Sequence, residues 1–118
     1  MLGRIFGAIL TWAGLRPKPD FQVRWTADMP TREELAPGIL VVVGDRRSPK
    51  WVTMPCPSNC GTPLLLSLSQ GRRPRWSVAT DWRGRPTLSP SVRRTDGCKC
   101  HFWLRKGVVE WCADTGRN

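Results

Sequence analysis

The sequence predicts a small α+β domain, mostly β, built from antiparallel strands with a short helix at its N-terminus. Three observations lead there. Eleven Gly and eleven Pro in 118 residues cut the chain into pieces too short for a helical bundle. The apolar runs between them alternate with polar residues or are rich in β-branched side chains, as strands are. Cys56 and Cys60, and later Cys98 and Cys100 beside His101, form two clusters able to tie short strands into one knot.

The elements follow in chain order. Residues 1–18 form one unit, an amphipathic helix and a Pro-rich linker; residues 19–118 form the β-rich domain. The first apolar run, Ile5 to Leu15, is too short to span a bilayer. It lacks an A-x-A cleavage site, and Arg16-Pro17-Lys18-Pro19 ends it. Phe21 to Trp25 alternates as a half-buried strand does. Thr31 followed by Glu33 and Glu34 marks one helical turn with an acidic start. After the Pro37-Gly38 turn, Ile39 to Val43 is the most apolar run and reads as a central strand. Gly44 to Lys50 reads as a basic loop, and Trp51 to Met54 as a short strand leading to the first cysteines.

Leu64 to Leu68 and Trp76 to Thr80 are the next strands, with turns at 71–75 and 81–85. Thr87 to Val92 is extended but broken by Pro90, which suits an edge or a loop. Phe102 to Arg105 and Val108 to Cys112 form a hairpin about Lys106-Gly107.

The five cysteines are an odd number, so internal disulfides cannot pair them all. Thiolates bound to metal in a reducing cytoplasm fit better. Zinc takes four ligands in a tetrahedron, as two short pairs from separate turns. Cys56 and Cys60 supply one pair; Cys98, Cys100 and His101 compete for the other two places. Cys112 follows a strand Trp and reads as a core thiol. If His101 binds the metal, the chain has no other imidazole. If Cys100 binds, His101 is free to act as a general base. A serine hydroxyl needs such a base, and Ser89 and Ser91 precede His101 by about a dozen residues or fewer. Asp81 or Asp96 is placed to orient the imidazole.

The charge of +10, from 19 Lys and Arg against 9 Asp and Glu, attracts nucleic acid, anionic membrane or an acidic protein face alike. Arg72-Arg73-Pro74-Arg75-Trp76 and Trp82-Arg83-Gly84-Arg85 mix cations with aromatics, as single-strand nucleic-acid surfaces do. The arginines are scattered, so a solvated basic surface explains them equally.

Several segments together resemble an uncharacterised bacterial family, numbered 6527 among the domains of unknown function. They are Leu35-Ala36-Pro37-Gly38-Ile39-Leu40, Met54-Pro55-Cys56 with Cys60-Gly61, Arg73-Pro74-Arg75-Trp76 and Leu88-Ser89-Pro90-Ser91-Val92. The closing motif is Gly97-Cys98-x-x-His101-Phe102-Trp103-Leu104-Arg105 with Trp111. Members of that family are encoded beside ubiquitin-like proteins and their activating-like and conjugating-like enzymes. The resemblance therefore implies a peptidase that processes or removes a ubiquitin-like modifier, with those proteins as partners. Relatives often carry C-P-C-G-C where this chain has Cys56-Pro57-Ser58-Asn59-Cys60, and C-R-S-H where it has Cys98-Lys99-Cys100-His101. What the resemblance implies is that such an exchange would keep four thiolates and leave His101 to Ser91 or Ser89, whereas without it His101 would be the fourth ligand.

The leading expectation is thus a zinc-stabilised hydrolase with Ser91 or Ser89 as nucleophile and His101 as base. A variant places the chemistry on zinc itself, held by three protein ligands and a water. The alternatives are a non-catalytic zinc adaptor of the same pathway and a nucleic-acid-binding zinc protein.

Overall fold

The computed structural model describes residues 19–71 and 73–116; the expected N-terminal helix lies outside them. Among the described residues, nine strands form three small sheets. The first holds β1 (Gln22–Thr26), β2 (Ile39–Asp45), β3 (Ser48–Met54) and β4 (Leu64–Ser67) in that order. The second pairs β5 (Ser77–Thr80) with β6 (Pro86–Ser89). The third is β7 (Val92–Arg93), β8 (His101–Arg105) and β9 (Val108–Trp111).

Pairing is antiparallel throughout except between β1 and β2, which run parallel. The connection between those two contains the 3-10 turn Arg32–Glu34. Its N-terminus is a capping box, in which the Thr31 amide donates to Glu34 Oε1 at 2.8 Å and the Thr31 side chain accepts from the amide of Glu34. Parallel neighbours need such a crossover, whereas antiparallel ones close through tight turns. β2 is interior to its sheet, and Leu40 to Val43 are buried on both faces. That burial is why the run is continuously apolar instead of alternating.

The basic loop expected over residues 44–50 is mostly strand. β2 continues to Asp45 and β3 begins at Ser48, so only Arg46 and Arg47 turn the chain, where the Asp45 carboxylate accepts from the Arg47 amide at 2.7 Å. A register shift between Val43 and Gly44 absorbs the mismatch, and Gly44 takes φ 124° there. The polar composition misled because both strand ends are solvent-facing.

The hairpin about Lys106-Gly107 forms as expected, with φ of 49° and 79° at the two turn residues. Both angles being positive gives the turn whose twist matches the flanking strands. Gly107 is also a docking point: its carbonyl accepts from the amides of Asp20 and Phe21, and its amide donates to Pro86. A Cβ there would stand 2.6 Å from the Phe21 carbonyl oxygen, so this close approach requires glycine.

One core joins the sheets. Leu40, Val42, Val52, Met54, Leu64 and Leu66 come from the first, Leu88 from the second, and Val92, Phe102 and Leu104 from the third. Phe102 is fully buried and meets Trp111 edge-on at 5.7 Å. Cys56 and Cys100 are part of the same core, and Cys98 packs against it.

Candidate functional site: a thiol cluster beside a serine, histidine and aspartate

The third sheet sorts its side chains by parity. Phe102 and Leu104 of β8 face the core, so His101 and Trp103 face the other way. On β7, Val92 is buried, which turns Ser91 and Arg93 outward toward the same side. Arg93 and His101 are register partners. The pleat therefore brings Ser91 and His101 together, although ten positions separate them in sequence.

The Ser91 hydroxyl lies 3.0 Å from His101 Nε2, and His101 Nδ1 lies 2.7 Å from Asp114 Oδ1. An ionised carboxylate only accepts, so Nδ1 carries the proton and Nε2 is left to accept from the serine. The second oxygen of Asp114 pairs with Arg93. The His101 backbone amide donates to Thr115 Oγ1 at 2.7 Å, and the Cys112 amide donates to the His101 carbonyl at 2.9 Å. These bonds fix the turn that carries Asp114 against the strand that carries His101. The hydrogen bond to His101 chiefly, with help from Arg93 against a smaller effect of burial, holds the Asp114 carboxyl below the ordinary carboxylate range.

Neither aspartate expected to orient the imidazole does so. Asp81 caps its own turn, accepting from the amides of Arg83 and Arg85 at 2.9 Å each, and Asp96 pairs with Arg94 at 3.6 Å. Asp114 takes the position. Its sequence signal was the short Ala113-Asp114-Thr115-Gly116 turn directly after the final hairpin, downstream of His101, not upstream. Ser89 is exposed at the end of β6, opposite Ser77.

The residues beside these point to the opposite face. Cys56 Sγ lies 3.7 Å from Cys98 Sγ and 3.7 Å from Cys100 Sγ, and Cys60 joins Cys56 and Cys98 within 4.8 Å. These four sulfurs cluster closely and can hold a metal ion. Cys100 belongs to this cluster, while both nitrogens of His101 are engaged by Ser91 and Asp114. Burial resists ionisation of Cys98, yet hydrogen bonds from Ser58, from the Cys100 backbone and from the neighbouring thiols outweigh it and bring its pKa down to about 6. Burial, with Cys56 and Cys98 alongside, pushes Cys100 up. Arg94 reaches the cluster from β7's end: its guanidinium donates to the Thr62 carbonyl at 3.0 Å. Burial works against its charge, but Cys60, Asp96 and Cys56 more than compensate.

Cys112, expected in the core, is only half-buried and stands within 4.8 Å of His101 and Asp114. Of the basic aromatic segment, Trp76 packs partly buried against the core and donates through its indole N–H to the Ser91 carbonyl at 3.3 Å. Trp82 is 87% exposed, with Arg83 stacked 4.7 Å from its ring centre.

A hydroxyl, an imidazole and a carboxylate in series are the groups that serine hydrolases use. Residues 25–112 match the family described as bacterial ubiquitination-like system serine protease (BubE), and the chain belongs to that family. No curated protein and no solved structure matches the chain. The family ties the chain to a bacterial ubiquitination-like system, as the resemblance implied. No helix among the described residues is long and apolar enough to cross a membrane.

Proposed function

We propose that this chain is a serine peptidase that processes or deconjugates a bacterial ubiquitin-like protein, with Ser91 as nucleophile, His101 as general base and Asp114 as the group that orients it. The observation that carries this is the series Ser91–His101–Asp114 at 3.0 and 2.7 Å, in a chain of a serine-protease family. We take that family and the one numbered 6527 to be the same.

The steps follow from the geometry. His101 Nε2 accepts the Ser91 proton as the oxygen attacks the carbonyl carbon, and the imidazolium so formed is stabilised by Asp114. The same proton then passes to the leaving amine or oxygen, giving an acyl-serine. Water, deprotonated by His101, releases the acid and restores the hydroxyl. Arg93 holds the second Asp114 oxygen and so limits rotation of that carboxylate.

Cys56, Cys60, Cys98 and Cys100 would hold zinc as a structural ion. The donor set fits: zinc–sulfur bonds of about 2.3 Å place tetrahedral sulfurs about 3.8 Å apart, and the two direct separations from Cys56 are 3.7 Å. Ser58, where relatives often carry cysteine, turns its hydroxyl to Cys56 at 3.0 Å. This supports the exchange by which Cys100 completes the set. Four sulfurs fill a tetrahedron, so the ion would supply rigidity and not an open position for water. That favours the serine mechanism over the zinc-assisted variant. Thiolate ligands suit the cytoplasm. The ubiquitin-like protein and its activating and conjugating enzymes would be the partners.

The test is cleavage of a fusion of the cognate modifier. Ser91→Ala is expected to abolish it with metal content and fold unchanged, while Ser89→Ala retains most of it. Cleavage undiminished in Ser91→Ala would sink the assignment. Tight binding without turnover in the parent protein would instead support the adaptor.

A further inference from the structure

A cleft of about 1190 Å³ is lined by residues of all three sheets and reaches Ser89 and Pro90, the two residues that precede Ser91. Ser89 and Pro90, the residues leading into Ser91, form part of its wall, and Trp76, whose indole holds the Ser91 carbonyl, forms another part. Arg47, Lys50 and Arg75 line it, together with Trp51 and Trp103; no Asp or Glu does. All three cations are exposed, and none of them is in an ion pair among the described residues.

We propose that this cleft is a substrate subsite that takes an extended acidic segment of the polypeptide flanking the bond cut at Ser91. The inference rests on the peptidase reading above and adds where the chain lies and what charge it carries.

Three features select that occupant. Charge complementarity comes first: three cations without a carboxylate in one concavity focus a positive field that raises the local concentration of an acidic ligand. The second is shape. β5 pairs as a strand with β6 alone among the described residues; the Trp76 amide just before it donates to the Ser67 carbonyl at 2.8 Å, and beyond that bond Ser77 and Val78 line the cleft. A strand with a neighbour on one side only offers its second edge to an extended chain, which gains main-chain hydrogen bonds there. The third is position. A segment bound in the cleft leads past Ser89-Pro90 to Ser91, so the neighbouring peptide bond is carried to the hydroxyl. A nucleic-acid strand also suits cations and tryptophans, but it has no acyl carbon for a serine to attack, and a cleft whose wall runs through Ser89-Pro90 into Ser91 would serve it nothing.

The experiment uses the full chain. In the Ser91→Ala protein, a fluorescent octapeptide of Glu, Asp, Leu and Gly is titrated against its counterpart with Lys in place of each acid. The acidic peptide is expected to bind at least tenfold more tightly, with affinity falling as salt rises. The double substitution Arg47→Glu and Lys50→Glu should weaken it by roughly tenfold or more, as loss of complementary charge does, with the unfolding temperature unchanged. Equal binding of the two peptides, or affinity unaltered by the double substitution, overturns the proposal. So does a single-stranded oligothymidylate that binds more tightly than the acidic peptide and loses that affinity in the same variant. Hydrolysis of p-nitrophenyl acetate by the parent protein, and its loss in Ser91→Ala, reports separately on the peptidase reading: that reading can fail while the acidic peptide still binds, and the reverse.

Discussion

Asp114 carries more of the candidate site than its place at the end of the chain suggests. One oxygen accepts a hydrogen bond from His101 Nδ1–H and the other pairs with Arg93. Asp114→Asn keeps the size but offers an NH₂ where the imidazole N–H must donate, which favours the wrong tautomer. Turnover is expected to fall by roughly 10³–10⁴ in kcat, measured on the modifier fusion, with substrate affinity little changed. The pH dependence of stability should report the same contact. Because the folded-state pKa of Asp114 is depressed, its contribution is present above the unfolded carboxylate value of about 3.9 and is lost as pH falls through the depressed folded value. The gap in unfolding temperature between the parent and Asp114→Asn should therefore close in acid. A gap that widens there would contradict the assignment.

At the scale of elements, β7 and β8 do two jobs at once. Arg93 and His101 face Asp114, while the adjacent Arg94 and Cys100 face the thiol cluster. The Arg94 amide donates to the Cys100 carbonyl at 2.9 Å, so the two faces share one backbone. Metal held by the thiols would thereby fix the register that sets Ser91 against His101. Cys60→Ser, which removes the most exposed of the four sulfurs, is expected to lower metal content and activity together. Its unfolding temperature should drop by about 10 °C or more, since structural metal sites contribute folding free energy directly. Metal analysis and thermal unfolding of the same preparation check this. Full activity in metal-free protein would uncouple the two faces.

Across the whole molecule, three small sheets share one core, and none of them could bury a face alone. Phe102 lies where they meet: it is fully buried, two residues from Cys100 and one from His101. Phe102→Ala should cost about 3–5 kcal/mol, read as a shift in the denaturant midpoint, and should weaken metal retention as well. Phe102→Leu, which keeps most of the volume, should recover the greater part.

Much of this was legible from the chain itself. Ile39 to Val43 had to be an interior strand because so continuous an apolar run tolerates no wet face, and Lys106-Gly107 had to turn because its neighbours alternate about it. The two cysteine clusters announced thiols able to meet, and Ser89 or Ser91 with His101 offered a hydroxyl and an imidazole. Spacing fixed these features because each depends on residues close in sequence. Tertiary structure decided the remainder. It gave Cys100 to the thiols and His101 to the serine, since the alternating pleat of β8 sends neighbours to opposite faces. It chose Asp114 over Asp81 and Asp96, because hydrogen bonding of a C-terminal turn back onto His101 and Lys99 depends on distances that no local pattern encodes. It also gathered Arg47 from a turn, Lys50 from β3 and Arg75 from the approach to β5 into one cleft that reaches Ser89-Pro90, turning charges scattered in sequence into a single field.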